Sequence, residues 1–437
     1  MHFFCCKYVK MPYIIQNKLK TTQILRKKYM KKVFITGRGL VTPIGKGMDA
    51  NRQSLKDGTS GIVFCESYAE HNLDSVVAGI ADETPDAGLL DRKILRFTPP
   101  AASMSVSAVH EALQEAGIDP EEIRGKRIAV VGGIANSFGK ENTMQTVNFM
   151  ESGKIRTVSP FAVPRIMPSS AVSILSLFYG LKGESYDISA ACATGTLAVI
   201  VAARLIRSGE YDMVIVGGAE QLDWTQCLGF CAMRALSTKF ADNPSAASRP
   251  FDRNRDGFVL ANGAAWMILE SEEHLKQRGG VAITEVTGYA ANSNAVDMVV
   301  PDTAASEDVM RMAIANAGLQ PSDIRYVNTH GTSTPVGDPV EMRAIKNIFG
   351  SSIAINSTKS QTGHMIGATG AAEIIFTSIM LEDDFVSPTI NLDEPEEDFS
   401  WADLVREYRP NAGLKHAISN SFAFGGSNAC VTLSKVK

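Results

Sequence analysis

Four segments of this chain carry residues whose types and spacing suit chemistry on a carbonyl carbon. The first is Tyr186-Asp-Ile-Ser-Ala-Ala-Cys-Ala-Thr-Gly-Thr196. It places Cys192 after a short apolar strand and before an apolar helix, among side chains small enough for tight backbone packing. A thiol at a helix N-terminus feels the positive end of the peptide dipole, which favours the nucleophilic thiolate. On context alone a buried structural cysteine also fits.

The second segment is Asn328-Thr-His-Gly-Thr-Ser-Thr-Pro-Val-Gly-Asp-Pro-Val-Glu341. It presents His330 at a strand end in a loop rich in glycine and hydroxyls. Thr332 and Thr334 suit hydrogen bonding to a polar cofactor arm. Asp338 reads as a helix N-cap, with Pro339 at the first helical position and Glu341 at the third. The third segment is Ser357-Thr-Lys-Ser-Gln-Thr-Gly-His-Met-Ile-Gly-Ala-Thr-Gly-Ala-Ala-Glu373. Lys359 and His364 flank its turn, and Glu373 falls in a mostly apolar helix where it needs a partner, for which Lys359 is suited. The last is Ser419-Asn-Ser-Phe-Ala-Phe-Gly-Gly-Ser-Asn428, where Phe422 and Phe424 beside paired glycines make a loop able to carry a bulky apolar gate.

Positioning these groups requires an alternating scaffold. Apolar β-type runs at Val33–Thr36, Ile128–Val131, Met213–Val216, Trp266–Leu269 and Ile353–Ile355 alternate with helical patterns such as Ser107–Ala116 and Leu197–Ser208. That pattern predicts an α/β architecture with buried sheets. Residues 112–124 recur as residues 313–325 with six identities in thirteen and no gap. Each copy ends its helix at Ala-Gly, starts the next turn with proline and leads to a strand. The chain therefore reads as two duplicated halves joined near residues 271–282, with a site between them drawing on both.

Composition sets the outer limits. The chain has 437 residues, 45% hydrophobic and 21% charged, and no apolar run of membrane-spanning length. Seven scattered cysteines (Cys5, Cys6, Cys65, Cys192, Cys227, Cys231 and Cys430) match neither a disulfide framework nor a structural zinc site. A reducing cytoplasm is the expected location. Residues 1–29 hold seven Lys/Arg and no Asp/Glu; removing them takes the net charge from −4 to −11, which argues against nucleic acid as a partner. This basic extension reads as an organelle transit peptide or as an upstream start codon preceding the natural one at Met30.

Taken in this order, the four segments resemble the β-ketoacyl-acyl carrier protein synthases of the thiolase-like fold, most closely the synthase I branch. Asp91-Arg-Lys-Ile-Leu-Arg-Phe97, Ser248-Arg-Pro-Phe-Asp252 and Arg255-Asp-Gly-Phe258 add to the likeness, which extends over residues 30–437. The resemblance implies a layered αβαβα fold, with a nucleophile-bearing half over 30–275 and a half over 276–437 carrying both histidines. It implies a Cys192, His330 and His364 triad, with Lys359 ordering the site and Glu373 associated with it; Asp338 and Glu341 are supporting residues. Thr332 and Thr334 would hold the phosphopantetheine arm of acyl carrier protein. Phe424 would be the gate, beside Phe422, and its N–H would complete an oxyanion hole with that of Cys192. Arg92, Lys93 and Arg96 would dock the acidic carrier protein. Decarboxylative condensation of acyl and malonyl thioesters needs no metal or redox cofactor, and a homodimer without membrane contact is expected.

The same resemblance implies where the chain departs from its pattern. Ala423 stands where the gating loop usually has glycine, Ser427 replaces threonine, and Ala261-Asn-Gly-Ala264 replaces a glycine-richer stretch. The added methyl at Ala423 restricts φ and is expected either to stiffen the gate or to change which chains pass it. A non-catalytic chain-length factor characteristically lacks the nucleophile that this chain retains. A thiolase would pair its nucleophile with a second cysteine near the C-terminus, where only Cys430 stands. A Cys–His hydrolase has no need of two histidines and a lysine.

Overall fold

The computed structural model describes residues 30–86, 88–135, 138–351 and 353–436; the basic extension over 1–29 lies outside the described residues. Its first half contains β1 (Val33–Thr42), α1 (Pro100–Glu115), β2 (Ala129–Gly132), α2 (Ser170–Tyr179), β3 (Ser185–Asp187), α3 (Thr194–Arg207), β4 (Met213–Glu220) and β5 (Gly263–Ser271). The second contains β6 (Thr284–Ser293), α4 (Thr303–Ala317), β7 (Tyr326–Asn328), α5 (Gly337–Phe349), β8 (Ala354–Asn356), α6 (Thr369–Asp383), β9 (His416–Phe422) and β10 (Ser427–Lys435). The expected strand Ile128–Val131 begins one residue later, and the run from Val33 continues to Thr42 because β5 pairs along its length.

The duplication is explicit in the pairing. In the first half the order is β1-β5-β4-β2-β3, with β1–β5 and β5–β4 antiparallel and the remaining pairs parallel. In the second it is β6-β10-β9-β7-β8, again two antiparallel pairs followed by two parallel ones. A short β1–β6 pairing, Phe34 with Glu285 and Ile35 with Thr284, joins the two. Helices α1 and α2 cover the outer face of the first sheet, α4 and α5 that of the second, and α3 and α6 pack together between the sheets. This is an αβαβα stack.

The sequence repeat has a packing cause. A Cβ on Gly37 of β1 would lie 2.0 Å from the carbonyl oxygen of Ala112 in α1, and one on Gly288 of β6 would lie 2.3 Å from that of Ala313 in α4. Ala112 and Ala313 are equivalent in the repeat, so each outer helix lies directly on a glycine of its leading strand. Among the described residues, no helix is long and apolar enough to cross a membrane.

The two central helices meet just as closely. A Cβ on Gly195 in α3 would come within 2.7 Å of the Ala371 nitrogen in α6, and one on Gly370 within 2.1 Å of Thr196 Oγ1. Helix α6 is buried on every side from Thr369 to Leu381, as expected of a helix enclosed by two sheets. The Gly370→Ala variant is expected to lose about 1–3 kcal/mol of stability by overpacking this crossing. Urea unfolding should show a lower midpoint with an unchanged slope.

Candidate active site

Cys192 sits in a single 3-10 turn, Ala191–Ala193, between β3 and α3. The preceding Ala191 is left-handed, with φ of 46°, a strained conformation for a residue with a Cβ. The Thr194 hydroxyl accepts the Ala190 N–H at 2.8 Å and pins the turn. The thiol therefore projects from a rigid elbow, half-buried, toward the second half.

His330 follows β7. The loop that carries it is held by Glu341, whose carboxylate accepts the N–H groups of His330 (2.9 Å) and Gly331 (2.8 Å) and the Asn420 side-chain amide (3.0 Å). This corrects the capping expectation. Helix α5 begins at Gly337, so Asp338 lies inside it rather than at its cap, and Glu341 reaches the loop that carries His330 instead of closing a capping box. Asp338 accepts the Phe251 and Thr334 N–H groups and faces Arg255, tying the loop to the 249–255 segment. The Gly337 N–H is taken by Thr334 Oγ1 at 3.1 Å, which commits part of that hydroxyl. Thr332 Oγ1 lies 3.2 Å from it.

His364 lies between the short helix Lys359–Thr362 and α6, and its Nδ1 is 3.0 Å from Thr369 Oγ1. The Lys359 ammonium donates to Glu373 Oε1 at 2.7 Å, both groups being 1% exposed, which is the partnership the sequence suggests. The two imidazoles meet nearly edge to face with centroids 5.5 Å apart. Ligand-capable atoms of Cys192, His330 and His364 all fall within 4.8 Å of one another. Nδ1 of His330 and Nε2 of His364 are buried with no hydrogen-bond partner among the described residues.

These groups line a cavity of about 350 Å³, with Thr332, Thr334, Phe422, Ala423 and Phe424. Its walls also include Phe230, Val299 and Val300, which the sequence does not single out, and Phe258 from the Arg255–Phe258 segment that adds to the family likeness. The Phe424 ring stands 6.4 Å from that of Phe230. Ala423 has φ of −124°, extended backbone open to any residue, so its methyl fits this arrangement without strain. Arg92, Lys93 and Arg96 are exposed on or just after the short helix Arg92–Leu95 and do not line the cavity. Cys430 is buried at 3.1 Å from Asn420 Oδ1, also away from the lining.

Burial sets the charge states. It pushes the Cys192 thiol up to about 12, against the pull of Lys359 and of the Phe424 and Cys192 backbone N–H groups, with Glu220 adding to the rise. The helix terminus, worth about 0.3–1 kcal/mol, is outweighed, so the resting group is a thiol and not the thiolate that sequence context favours. Burial, reinforced by Lys359, holds both His330 and His364 well below the usual imidazole range. Burial also raises Glu373 to about 7 despite Lys359.

Comparison with known proteins adds a second line of information. The family model "Beta-ketoacyl synthase, N-terminal domain" matches residues 30–274, and "Beta-ketoacyl synthase, C-terminal domain" matches residues 283–393. The 3-oxoacyl-[acyl-carrier-protein] synthase 1 of Haemophilus influenzae is 40% identical over 402 residues, 92% of this chain and 98% of that protein. A solved beta-ketoacyl synthase from Burkholderia phymatum superposes with a TM-score of 0.88 at 33% identity, covering 93% of this chain and 100% of the other. A type II PKS acyl-carrier protein in complex with its ketosynthase bound to the hexaketide matches at 0.84 and 31%, with the same coverage.

The lowered imidazole pKa values fix the sign of a pH experiment. A lowered value keeps the ring neutral as pH falls through 6.5, where an unperturbed histidine gains its proton. With histidine ring carbons labelled, the His330 and His364 signals are expected to keep constant NMR shifts between pH 8 and about 6. Those two signals should vanish singly in His330→Ala and His364→Ala; titration of either near 6.5 would contradict the burial argument.

Proposed function

The chain belongs to the beta-ketoacyl synthase family, and from that premise we propose how its cavity performs carbon–carbon bond formation. It is an elongating acyltransferase of the 3-oxoacyl-[acyl-carrier-protein] synthase type, acting in fatty acid synthesis or a related specialised pathway. The observation that carries the residue assignment is the convergence of Cys192 from one half with His330 and His364 from the other.

In this reading the acyl thioester enters with its phosphopantetheine arm along Thr332 and Thr334. Attack by Cys192 is coupled to loss of its proton to a neutral imidazole, because burial keeps that proton on sulfur in the resting state. The Phe424 and Cys192 N–H groups, both directed at the sulfur, receive the oxyanion as the tetrahedral intermediate forms, each donor being worth about 3–4 kcal/mol in comparable sites. The proton then leaves with the departing pantetheine thiol. A malonyl thioester follows, and neutral His330 and His364 donate N–H bonds to its carbonyl. These stabilise the enolate left when carbon dioxide departs. Its carbanion attacks the acyl carbonyl on Cys192, the carbon–sulfur bond breaks to release the β-ketoacyl thioester, and the freed sulfur regains a proton from solvent. Lys359 paired with Glu373 orders this floor, while Glu341 and Asp338 hold the His330 loop.

Arg92, Lys93 and Arg96 supply exposed cations for an acidic carrier protein, countering a net negative chain. A homodimer is supported by the apolar side chains Met144, Val147, Phe149, Met150 and Ile155, each over 40% exposed. They lie in or next to the helix Gly139–Ser152. The outer edge of β3 also pairs with no other described strand.

Incubation with acyl-carrier protein should add one acyl group to Cys192 by intact mass. Cys192→Ala should accept none and condense nothing. Cys192→Gln should still decarboxylate malonyl-carrier protein, whereas His364→Ala should lose decarboxylation by about 10²–10³-fold. Persistence of condensation in Cys192→Ala would sink the assignment. Ala423→Gly, which frees a restrained backbone, should shift the gate by about 0.5–1 kcal/mol and raise turnover of the bulkiest acyl chains several-fold relative to short ones.

A further inference from the structure

We propose that Cys192, His330 and His364 together form a binding site for a thiophilic divalent transition-metal ion, zinc being the best match, and that the bound ion shuts the active site. Three observations converge. One sulfur and two imidazole nitrogens lie within 4.8 Å of one another. Tetrahedral zinc bonds of about 2.0–2.3 Å require ligand separations of roughly 3.5 Å, a closure that side-chain rotation can supply. Nδ1 of His330 and Nε2 of His364 are buried without a partner among the described residues, so each ring keeps at least one nitrogen free of any competing bond. The cavity in front of them leaves an open fourth position and an entry route.

Thr369 gives this site a second use of one ring. Its hydroxyl, 3.0 Å from His364 Nδ1, can donate or accept. When it donates to Nδ1, Nε2 carries the hydrogen and serves as a donor in condensation. When it accepts from Nδ1–H, Nε2 presents a lone pair, and the hydroxyl orients the ring as an outer-shell partner does at metal sites. Ligation converts the Cys192 thiol to a metal thiolate and releases its proton to solvent, with no redox change. The charge of Lys359, which acts on all three groups, is already matched by Glu373 at 2.7 Å. With its sulfur coordinated, Cys192 cannot attack a thioester.

The test titrates full-length, reduced, metal-free protein with zinc sulfate against a chromophoric chelator, and records zinc-edge X-ray absorption on the complex. One ion per chain is expected, with one sulfur at about 2.3 Å and two nitrogens at about 2.0 Å. Cys192→Ala and His364→Ala should each weaken binding by about 100-fold or more, and Thr369→Val by about 10–100-fold. Cys231→Ser should leave affinity unchanged. Thermal unfolding of each variant establishes that it is folded. Zinc should also block alkylation of Cys192 by iodoacetamide, with EDTA restoring it. A shell with two or more sulfurs, which would place the ion at another cysteine pair such as Cys227 and Cys231 or Cys5 and Cys6, overturns the proposal; so does binding indifferent to Cys192→Ala, or no binding. Because no acyl substrate is present, failure here leaves the condensation reading standing, and failure of condensation leaves this one standing.

Discussion

Everything in the site depends on how closely α3 and α6 cross between the two sheets. Neither helix contacts water along its inner face, and the crossing is possible only because Gly195 and Gly370 leave no room for a side chain between the backbones. That contact fixes the N-terminus of α3, and so Cys192, against the loop that leads into α6 and carries His364. The Thr196 and Ser421 hydroxyls, 2.7 Å apart, extend the same contact to β9, the strand that delivers Phe422 and Phe424. One close approach therefore sets three of the four chemical segments in register. The fourth, carrying His330, is brought in by parallel pairing of β7 between β8 and β9.

Dryness follows from that packing and decides the electrostatics. Behind the half-buried Cys192 and His330, an imidazole, an ammonium and several carboxylates share a region almost without solvent: His364, Lys359, Glu373 and Glu341 are each 1–2% exposed. Each charged form there must be matched by a partner or relinquished. Lys359 and Glu373 are paired, and the histidines relinquish their charge. The segments that line the cavity also hold residues in left-handed conformations that a Cβ disfavours: Ala191 beside Cys192, Ser333 after His330, and Ile366 after His364. Conformations of this kind cost about 1–3 kcal/mol each, and the surrounding layers must offset them. Neutral donors on strained, immobile backbone are what stabilisation of a developing enolate requires, since nothing needs to reorient as charge appears.

The sequence made much of this legible, and the failures have specific causes. The repeat at 112–124 and 313–325 could be read because the outer helices bury the same alanine against a glycine in both halves. Cys192, His330, Lys359, His364 and Glu373 could be read because each lies in a local run of glycine and small residues. Asp338 and Glu341 were misread as caps. Their partners, Phe251, Gly331 and Asn420, are brought near by the tertiary fold, and local spacing holds no trace of them. The dipole argument for a Cys192 thiolate failed for a related reason: the helix end is visible in sequence, while the depth of burial that outweighs it is not. Phe230 and Val299 line the cavity from distant segments and look like any other apolar residue. Thr369 lay within a motif already singled out, yet its role appears only when His364 Nδ1 is seen beside it.

The gate illustrates how local chemistry and distant contacts combine. Within the loop, the Ala423 N–H bonds to the Ser427 carbonyl and the Gly426 N–H to that of Ala423, and the methyl of Ala423 narrows its alternatives. Across the cavity mouth, the Gly425 N–H bonds to the Met298 carbonyl and the Asn294 N–H to that of Gly426. Phe424 therefore cannot swing away alone. Its movement breaks two bonds to the 294–298 strip, each worth about 1 kcal/mol, unless that strip moves with it. Val299 and Val300, the next residues of that strip, line the cavity. On the proposed reading, admission of a long acyl chain and displacement of this apolar rim are thus one event, and selectivity would reside in two segments separated by over a hundred residues of sequence.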